Sequence, residues 1–500
     1  MMKSYVIGLD IGTSSAKAVL FNRTGYVVSE REIGYPTYHP HIGWSEQDPL
    51  EIEQATKQAL KEVIEQSNVP QEEICAIGLS AAMHSLICVD ESCEPLSPLI
   101  TWADQRSTQQ AEYLRSLPNA SIYLNTGTPQ HPMAPLAKLV WMKETGYTPY
   151  LQASKFISFK EFMLARWFNT YVVDYAVASA TGLFNNTTFE WDNEALNAAG
   201  ITTDQLSKPV PPTHVCQGLQ KEIADYIGIR ADIPFVLGSS DGPLANIGVG
   251  AMDHGDVAIT IGTSGAIRQM TSSPRTDQLQ EVFCYTVAEN LWVMGGPTNN
   301  GGNVLQWMRN VLGEKTNTYD QLTELASTSS IGANGLLFLP YLNGERAPIW
   351  DAKAKGSYIG LTTSHTKADM IRAGLEGTIY SLYHINNTLT RLAGEPKTLL
   401  ASGGFSRSRL WLQILADIFG KEIHLPLSHQ SSAWGAAWFA LMAVGVEEKL
   451  EDIKGSIPMK ETIEPNEKAH KNYQTMFSIY EQASSQLRTT FGALSAYQSQ

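Results

Sequence analysis

At 500 residues the chain is too long for a single hydrophobic core, and its length predicts roughly two to four domains. With 43% apolar and 17% charged residues it belongs with ordinary folded globular proteins, and its formal net charge of −14 argues against nucleic-acid binding as the main role, because phosphate backbones attract basic faces. The five cysteines, Cys75, Cys88, Cys93, Cys216 and Cys284, are odd in number and lack Cys-x-x-Cys spacing, which predicts reduced, mostly buried thiols rather than a disulfide framework or a zinc site. The N-terminus shows no charged start followed by an apolar stretch and a small-residue cleavage site, so the expected location is the cytoplasm.

The chain opens on "YVIGLD", turns through Gly12 to Ser15, resumes in "KAVLF", turns again at "NRTG" and continues in "YVVSERE". That pattern predicts a β-hairpin followed by a third strand rather than a strand-to-helix phosphate loop. No Gly-x-x-x-x-Gly-Lys-Ser/Thr occurs, and the Gly-x-Gly near 248 lacks its third glycine, so P-loop and Rossmann readings fall. A tight turn of small residues can aim backbone N–H groups and the hydroxyls of Thr13, Ser14 and Ser15 at an anion. The carboxylate of Asp10 then suits a magnesium ion held through water; a plain hairpin turn is the alternative.

Asp48 followed by Pro49 predicts a helix over 48–67, and "ICAIGLSA" predicts a strand over 74–81. A hairpin is expected in "SLICVDESCEPLSPLITW", with helices over 104–116, 134–144 and 158–167. The strand "PFVLGS" delivers Asp241 to a Gly/Ser-rich turn with a helix after it, and small residues near 246–254 mark a link between halves. "TIGTSG" at 260–265 then repeats the first hairpin, with Ile261 where the first has Asp10. "SSAWGAAWFALMAVGV" at 431–446 is short for a bilayer span and reads as a buried helix. Polar helix-like patterning over 448–500 is expected to pack on the second domain or a partner subunit.

Two such hairpins facing each other across a cleft resemble the actin-like ATPases, whose halves are ribonuclease H-like α/β domains. An ordered set of motifs sharpens the resemblance: "GLDIGTSSAK" at 8–17, "MAPLAKLVWMKE" at 133–144, "GSSDG" at 238–242, "TIGTSG" at 260–265, "LNGERAPIWD" at 342–351, "GSYIGLTTSHTKADMIRAGLE" at 356–376 and "ASGGFSRSRLWLQILAD" at 401–417. In this order they resemble the FGGY carbohydrate kinases. Thr145 and Gly374 depart slightly from the two signatures, at positions away from the chemistry.

The resemblance implies an N-terminal sugar-binding domain over 1–250, a nucleotide-binding domain over 251–447, a helical extension over 448–500, and ATP with Mg²⁺ as cofactors. It makes Asp241 the general base that accepts the hydroxyl proton during phosphoryl transfer; capping of the following helix is the alternative. Met83, His84, Trp102, Asp104, His131 and Met133 are expected to meet the sugar, with Arg106 orienting or pairing with Asp104. Thr13, Ser14, Ser15 and Lys17, then Thr263, Ser264, Gly302, Gln306, Gly403, Gly404 and Ser408, are expected to hold ATP, with Asp10 at the metal and Arg407 a weaker candidate over the base.

The run "NTGTPQHPMAPLAKLVW" resembles the gluconate kinase subgroup, where His131 and Lys138 would suit a carboxylate-bearing substrate, though Lys138 also fits a structural role. A kinase for another polyol or ketose, such as xylulose, and an actin-like or chaperone-like ATPase remain as alternatives. Neither nucleic acid nor a membrane is an expected partner. The oligomeric state stays open, a homodimer among the options.

Overall fold

In the computed structural model, which describes residues 4–313, 317–427 and 430–498, the first strands are Tyr5–Ile11 (β1), Ser15–Asn22 (β2) and Val27–Gly34 (β3). They pair antiparallel in sequence order, as the hairpin pattern predicts. Asp48 caps the helix Pro49–Ser67 (α1), its carboxylate accepting the Leu50 N–H at 2.8 Å, and proline fills the first turn, where its missing N–H costs nothing.

Ile74–Ala81 (β4) lies beside β1 in parallel, and Phe235–Ser240 (β7) lies beside β4 in parallel. Both strands are wholly buried, which is what near-continuous apolar runs become when a sheet is covered on both faces. Between them come Val172–Asp174 (β5) and the short edge strand Val215–Cys216 (β6), and the six-stranded sheet runs β6-β7-β4-β1-β2-β3. The helices Pro135–Thr145 (α2), Phe159–Phe168 (α3), Tyr175–Ala180 (α4) and Asp241–Gly248 (α5) complete what positions the site here.

Two expected elements differ in detail. The helix expected from 104 starts at Thr108, because Asp104 and Arg106 are tied into the preceding loop. The expected hairpin is held by antiparallel bridges, Leu86 to Ile100 and Val89 to Pro95, while its arms also pair elsewhere, Ile87–Val89 with Lys155–Ile157 and Leu99–Ile100 with Glu46–Gln47.

The structure divides into two compact units, one of Met1–Met252, Thr271–Val293 and Gln430–Ile457, the other of Asp253–Met270, Met294–His429 and Pro458–Gln500. Against the expected linear partition 1–250, 251–447 and 448–500, two later segments, 271–293 and 430–457, pack with the first unit. The cause in the second case is close packing of backbones. The buried helix Ser431–Ala443 lies on β1, β4 and β7. A Cβ at Gly8 would fall 2.0 Å from the Ala433 carbonyl oxygen, one at Gly78 1.9 Å from that of Ala436, and one at Gly248 1.9 Å from that of Ser431.

The second unit repeats the plan of the first. Asp256–Ile261 (β8) and Gly265–Thr271 (β9) form an antiparallel hairpin. Leu291–Thr298 (β10) lies beside β9; Thr398–Ser402 (β11) and Ile423–Pro426 (β12) extend the other side in parallel, and Met459–Ile463 (β13) closes it antiparallel, giving β10-β9-β8-β11-β12-β13 as six of the seven strands of this sheet. In each unit the first hairpin strand takes a much later strand as its parallel neighbour, so the repeated Gly-Thr-Ser turns mark a repeated topology. Among the described residues no helix is long and apolar enough to cross a membrane.

Candidate active site

Sheet register brings two carboxylates to one edge. Asp10 on β1 faces Ser80 on β4, and Ser80 faces Ser239 on β7; one step on, Ile11, Ala81 and Ser240 align. Asp241 follows as the first residue of α5, half-buried, with its Oδ1 accepting the Gly242 N–H at 2.7 Å. Adjacent strands lie about 4.8 Å apart, so with β4 between them Asp10 and Asp241 are separated by on the order of 10 Å across the sheet. Both sit at the carboxyl ends of parallel strands, where open α/β sheets gather ligands. Ser240, rather than Asp241, occupies the N-cap position of α5, and its side chain makes no capping bond.

Asp10 accepts the Ser80 hydroxyl on one oxygen and the Ser432 hydroxyl on the other, both at 2.6 Å. Nothing local in the sequence points to Ser432, which lies 422 residues away. Among the described residues no cluster of three or more His, Cys, Asp or Glu is placed to hold a metal ion. A lone carboxylate still fits magnesium, which keeps most of its water and binds through one or two carboxylates together with phosphate oxygens. In the adjoining turn, Ser14 is exposed at the tip. Thr13 Oγ1 accepts Trp102 Nε1 at 2.9 Å, and the Thr13 carbonyl accepts Gln47 Nε2 at 2.6 Å. Ser15 and Lys17 both reach Glu32 on β3, at 2.6 and 3.1 Å, so here they are partners of a carboxylate. Beside the turn, the phenol of Tyr35 donates to the Gly12 carbonyl; its pKa is raised, by burial first and by the Asp10 charge second.

Gly12, Thr13, Met83 and Trp102 line one small cavity of about 20 Å³, room for a water molecule. Tyr35 and Gln47 also line it and were not foreseen. Four other residues expected at the sugar lie outside its lining. His84 follows β4 in the left-handed region, φ 67°, and its Nδ1 lies 2.7 Å from the Ala180 carbonyl. A carbonyl only accepts, so Nδ1 carries a proton, and in the neutral ring Nε2 is the acceptor nitrogen. His131 has the opposite tautomer when neutral: Nδ1 accepts the Met133 N–H at 3.1 Å, which leaves the proton on Nε2. Met133 is buried at 1% exposure.

Asp104 is fully buried, and both its oxygens are taken, by Arg106 at 2.8 Å each and by the Ser45 N–H at 2.7 Å. Arg106 also reaches Glu46 and lies 3.6 Å from the Trp44 ring centroid. Asp104 thus holds a buried guanidinium here instead of presenting an open acceptor. Lys138 is likewise fully buried, its ammonium donating to the carbonyls of His84 at 2.6 Å and Thr101 at 2.8 Å, which makes it a strut between loops.

In the second unit the helix Gly302–Val311 (α6) starts against the β8–β9 turn. The Gly302 N–H donates to the Gly262 carbonyl at 2.7 Å, and the Asn303 N–H donates to that of Thr263 at 3.1 Å. A Cβ at Gly302 would fall 2.7 Å from the Gly262 oxygen, so the approach requires glycine. Ser408 caps the helix Arg409–Phe419 (α7), its hydroxyl accepting the Trp411 N–H at 3.3 Å. Thr263, Gly302, Gln306, Gly404, Arg407 and Ser408 line a common cavity of about 540 Å³, within the range that encloses small-molecule ligands. Ser264 and Gly403 are not among its lining. Gly403 acts from beneath: its φ is 100°, and a Cβ there would fall 2.4 Å from the Ile261 oxygen. Asn303, Thr318 and Tyr319 also line the cavity and were missed; the polar run "NNGGN" was the signal for the first.

Comparison with known proteins accords with this geometry. Residues 5–248 match the N-terminal domain of the FGGY family of carbohydrate kinases, and residues 257–444 match its C-terminal domain. The chain is 44% identical to the gluconokinase of Bacillus subtilis (strain 168) over 508 aligned positions, covering 99% of each. Among solved structures, a gluconate kinase from Lactobacillus acidophilus superposes with TM-score 0.95 at 36% identity, covering 98% of this chain and 99% of that one. A ligand-bound xylulose kinase from the same organism superposes with TM-score 0.94 at 36% identity, with the same coverage. Two family models that together span most of the sequence, and a relative alike from end to end, lead to one conclusion: this chain belongs to the FGGY family of carbohydrate kinases.

Proposed function

We propose that the protein transfers the γ-phosphoryl group of ATP to the terminal hydroxyl of D-gluconate, giving 6-phosphogluconate and ADP. The observation that carries the substrate is the whole-chain likeness to a gluconokinase, at 44% identity. The chemistry is supported by the sheet register that sets Asp10 and Asp241 at the ends of β1 and β7. Asp241 accepts the proton of the attacking hydroxyl as its oxygen bonds to the γ-phosphorus and the bond to ADP breaks. His84, through Nε2, accepts from a sugar hydroxyl; Trp102 and Met83 wall the sugar; and the Nε2–H of His131 faces a carboxylate. Thr263, Gly302, Gln306, Gly404 and Ser408 hold the nucleotide. Asp10 would hold Mg²⁺ through water, and that ion, when bound, offsets charge on the phosphates. Buried thiols support a reducing, cytoplasmic setting.

Equal sequence identity to a xylulose kinase structure keeps a second reading, phosphorylation of D-xylulose. A coupled assay of ADP release over gluconate, xylulose, glycerol and fuculose decides between them. Gluconate should give the highest kcat/KM; a higher value for xylulose would replace the substrate, and ATP turnover indifferent to every sugar would overturn the kinase reading. Asp241→Asn should bind both substrates yet lose at least about 10²-fold in kcat, the lower bound for a missing general base.

A further inference from the structure

Beneath the strand end that delivers Asp241 lie two charges sealed from water. Lys160 on α3 and Asp174 at the end of β5 are each 1% exposed, with Nζ and Oδ2 2.7 Å apart. The same Nζ donates to the main-chain carbonyl of Ser239 at 3.0 Å, two residues before Asp241. The other oxygen of Asp174 accepts the N–H groups of Ala176 and Val177, both at 3.1 Å, and so caps α4. At the far end of α4, the Ala180 carbonyl accepts from His84 Nδ1. One ion pair therefore reaches, by short hydrogen-bonded routes, both the proposed base and the proposed sugar-binding imidazole.

Stability alone does not call for this arrangement, since desolvating two charges offsets much of their attraction and an apolar pair of like volume packs as well. Geometry does call for it. The β7–β4 ladder slips register between Val236 and Ser239, and Gly238 there takes φ 57° with its Cβ position 2.1 Å from the Leu79 oxygen. Such irregularities re-aim side chains next to functional sites, and they also weaken the ladder that would otherwise hold the strand end. The Lys160 ammonium supplies a fixed donor just where regular pairing fails.

We propose that Lys160 and Asp174 are positioning residues: Lys160 holds the irregular end of β7 that aims Asp241, and Asp174 holds α4, which orients His84. The inference rests on Asp241 being the base, so Asp241→Asn is measured first. Near-normal turnover in that variant would remove the premise and is distinguishable from failure of the pair itself. The variant Lys160→Met/Asp174→Asn then removes both charges at similar volume while the amide keeps the helix cap. With ATP and gluconate its kcat should fall roughly 10- to 100-fold, the scale of an ångström of misplacement, with KM for ATP within about twofold of wild type. In the Asp241→Asn background the same pair of substitutions should cost less than about threefold more, because an absent base cannot be misaimed.

A second double variant, Lys160→Met/Asp174→Ala, also uncaps α4 and should raise KM for gluconate about fivefold over the first; an unchanged KM would overturn the His84 half. A folded Lys160→Met/Asp174→Asn variant with kcat near wild type overturns the Lys160 half. So does an equal loss with and without the Asp241 carboxylate, the mark of general loosening. Absence of a cooperative thermal transition in that variant would assign the pair to the fold itself and likewise overturn a positioning role.

Discussion

Lys138 shows how a buried charge can be used without touching substrate. Its carbonyl partners belong to the two loops that carry His84 and Trp102, so one side chain on α2 ties both together. Burial pushes its pKa down to about 7, against the opposing pull of Asp104. Between that value and the ordinary lysine range the unfolded chain binds more protons than the folded one, so stability referred to this group rises with pH. The expected outcome is that the melting-temperature gap between wild type and Lys138→Met widens from pH 7 to pH 9, at up to about 1.4 kcal/mol per pH unit, as thermal scans would read. A gap that stays constant over that range would show that the ammonium persists. Asp104 invites a companion test. Removing it leaves Arg106 buried beside Trp44 with Glu46 as its remaining carboxylate and the Ser45 N–H without its acceptor, so Asp104→Ala should destabilise the fold by about 1–3 kcal/mol, measured by denaturant titration. A contact made only with sugar would raise KM and leave stability unchanged.

The helix Ser431–Ala443 makes the corresponding point for an element. Its Ala- and Gly-rich sequence predicts burial, and burial is found, but its seat on β1 and β4 depends on Gly8 and Gly78, hundreds of residues earlier in the chain. Gly78→Ala would force a methyl to within 1.9 Å of the Ala436 carbonyl, backbone against backbone, where no rotamer change gives relief. The expected cost is about 1–3 kcal/mol or more, seen as a lower denaturant midpoint at unchanged slope. Gly455→Ala, with nothing within 4 Å, should stay within about 0.5 kcal/mol of wild type. Here lies the limit of what was legible. The hairpin, α1, β4 and the strand ending at Asp241 follow from local turn chemistry and apolar runs, and so does the placement of Asp10. The Arg106 lock on Asp104, two residues apart, is one of the readings the local sequence offers, whereas the Ser432 partner of Asp10 and the packing of 430–457 with the first unit arise from contacts between distant segments, which no window along the chain contains.

At the scale of the whole molecule, the division of labour between units can be read with the cysteines. All five are buried, and all five lie in segments of the first unit. Desolvation pushes the thiols of Cys88 and Cys284 up to about 12 and that of Cys216 to about 11. Only a thiolate attacks a disulfide reagent, so labelling of Cys88, Cys216 and Cys284 in native buffer must proceed through opening of the first unit. A ligand that binds the closed form alone lowers the open population by the factor 1 + [L]/Kd. Gluconate at about a hundred times its Kd should therefore slow labelling about 100-fold, whereas ADP at the same multiple should slow it far less, because the residues expected to hold the nucleotide line a cavity of the second unit. Protection by ADP equal to that by gluconate would mean that the two units open as one, and protection by ADP alone would reverse the assignment of sugar and nucleotide to the two units.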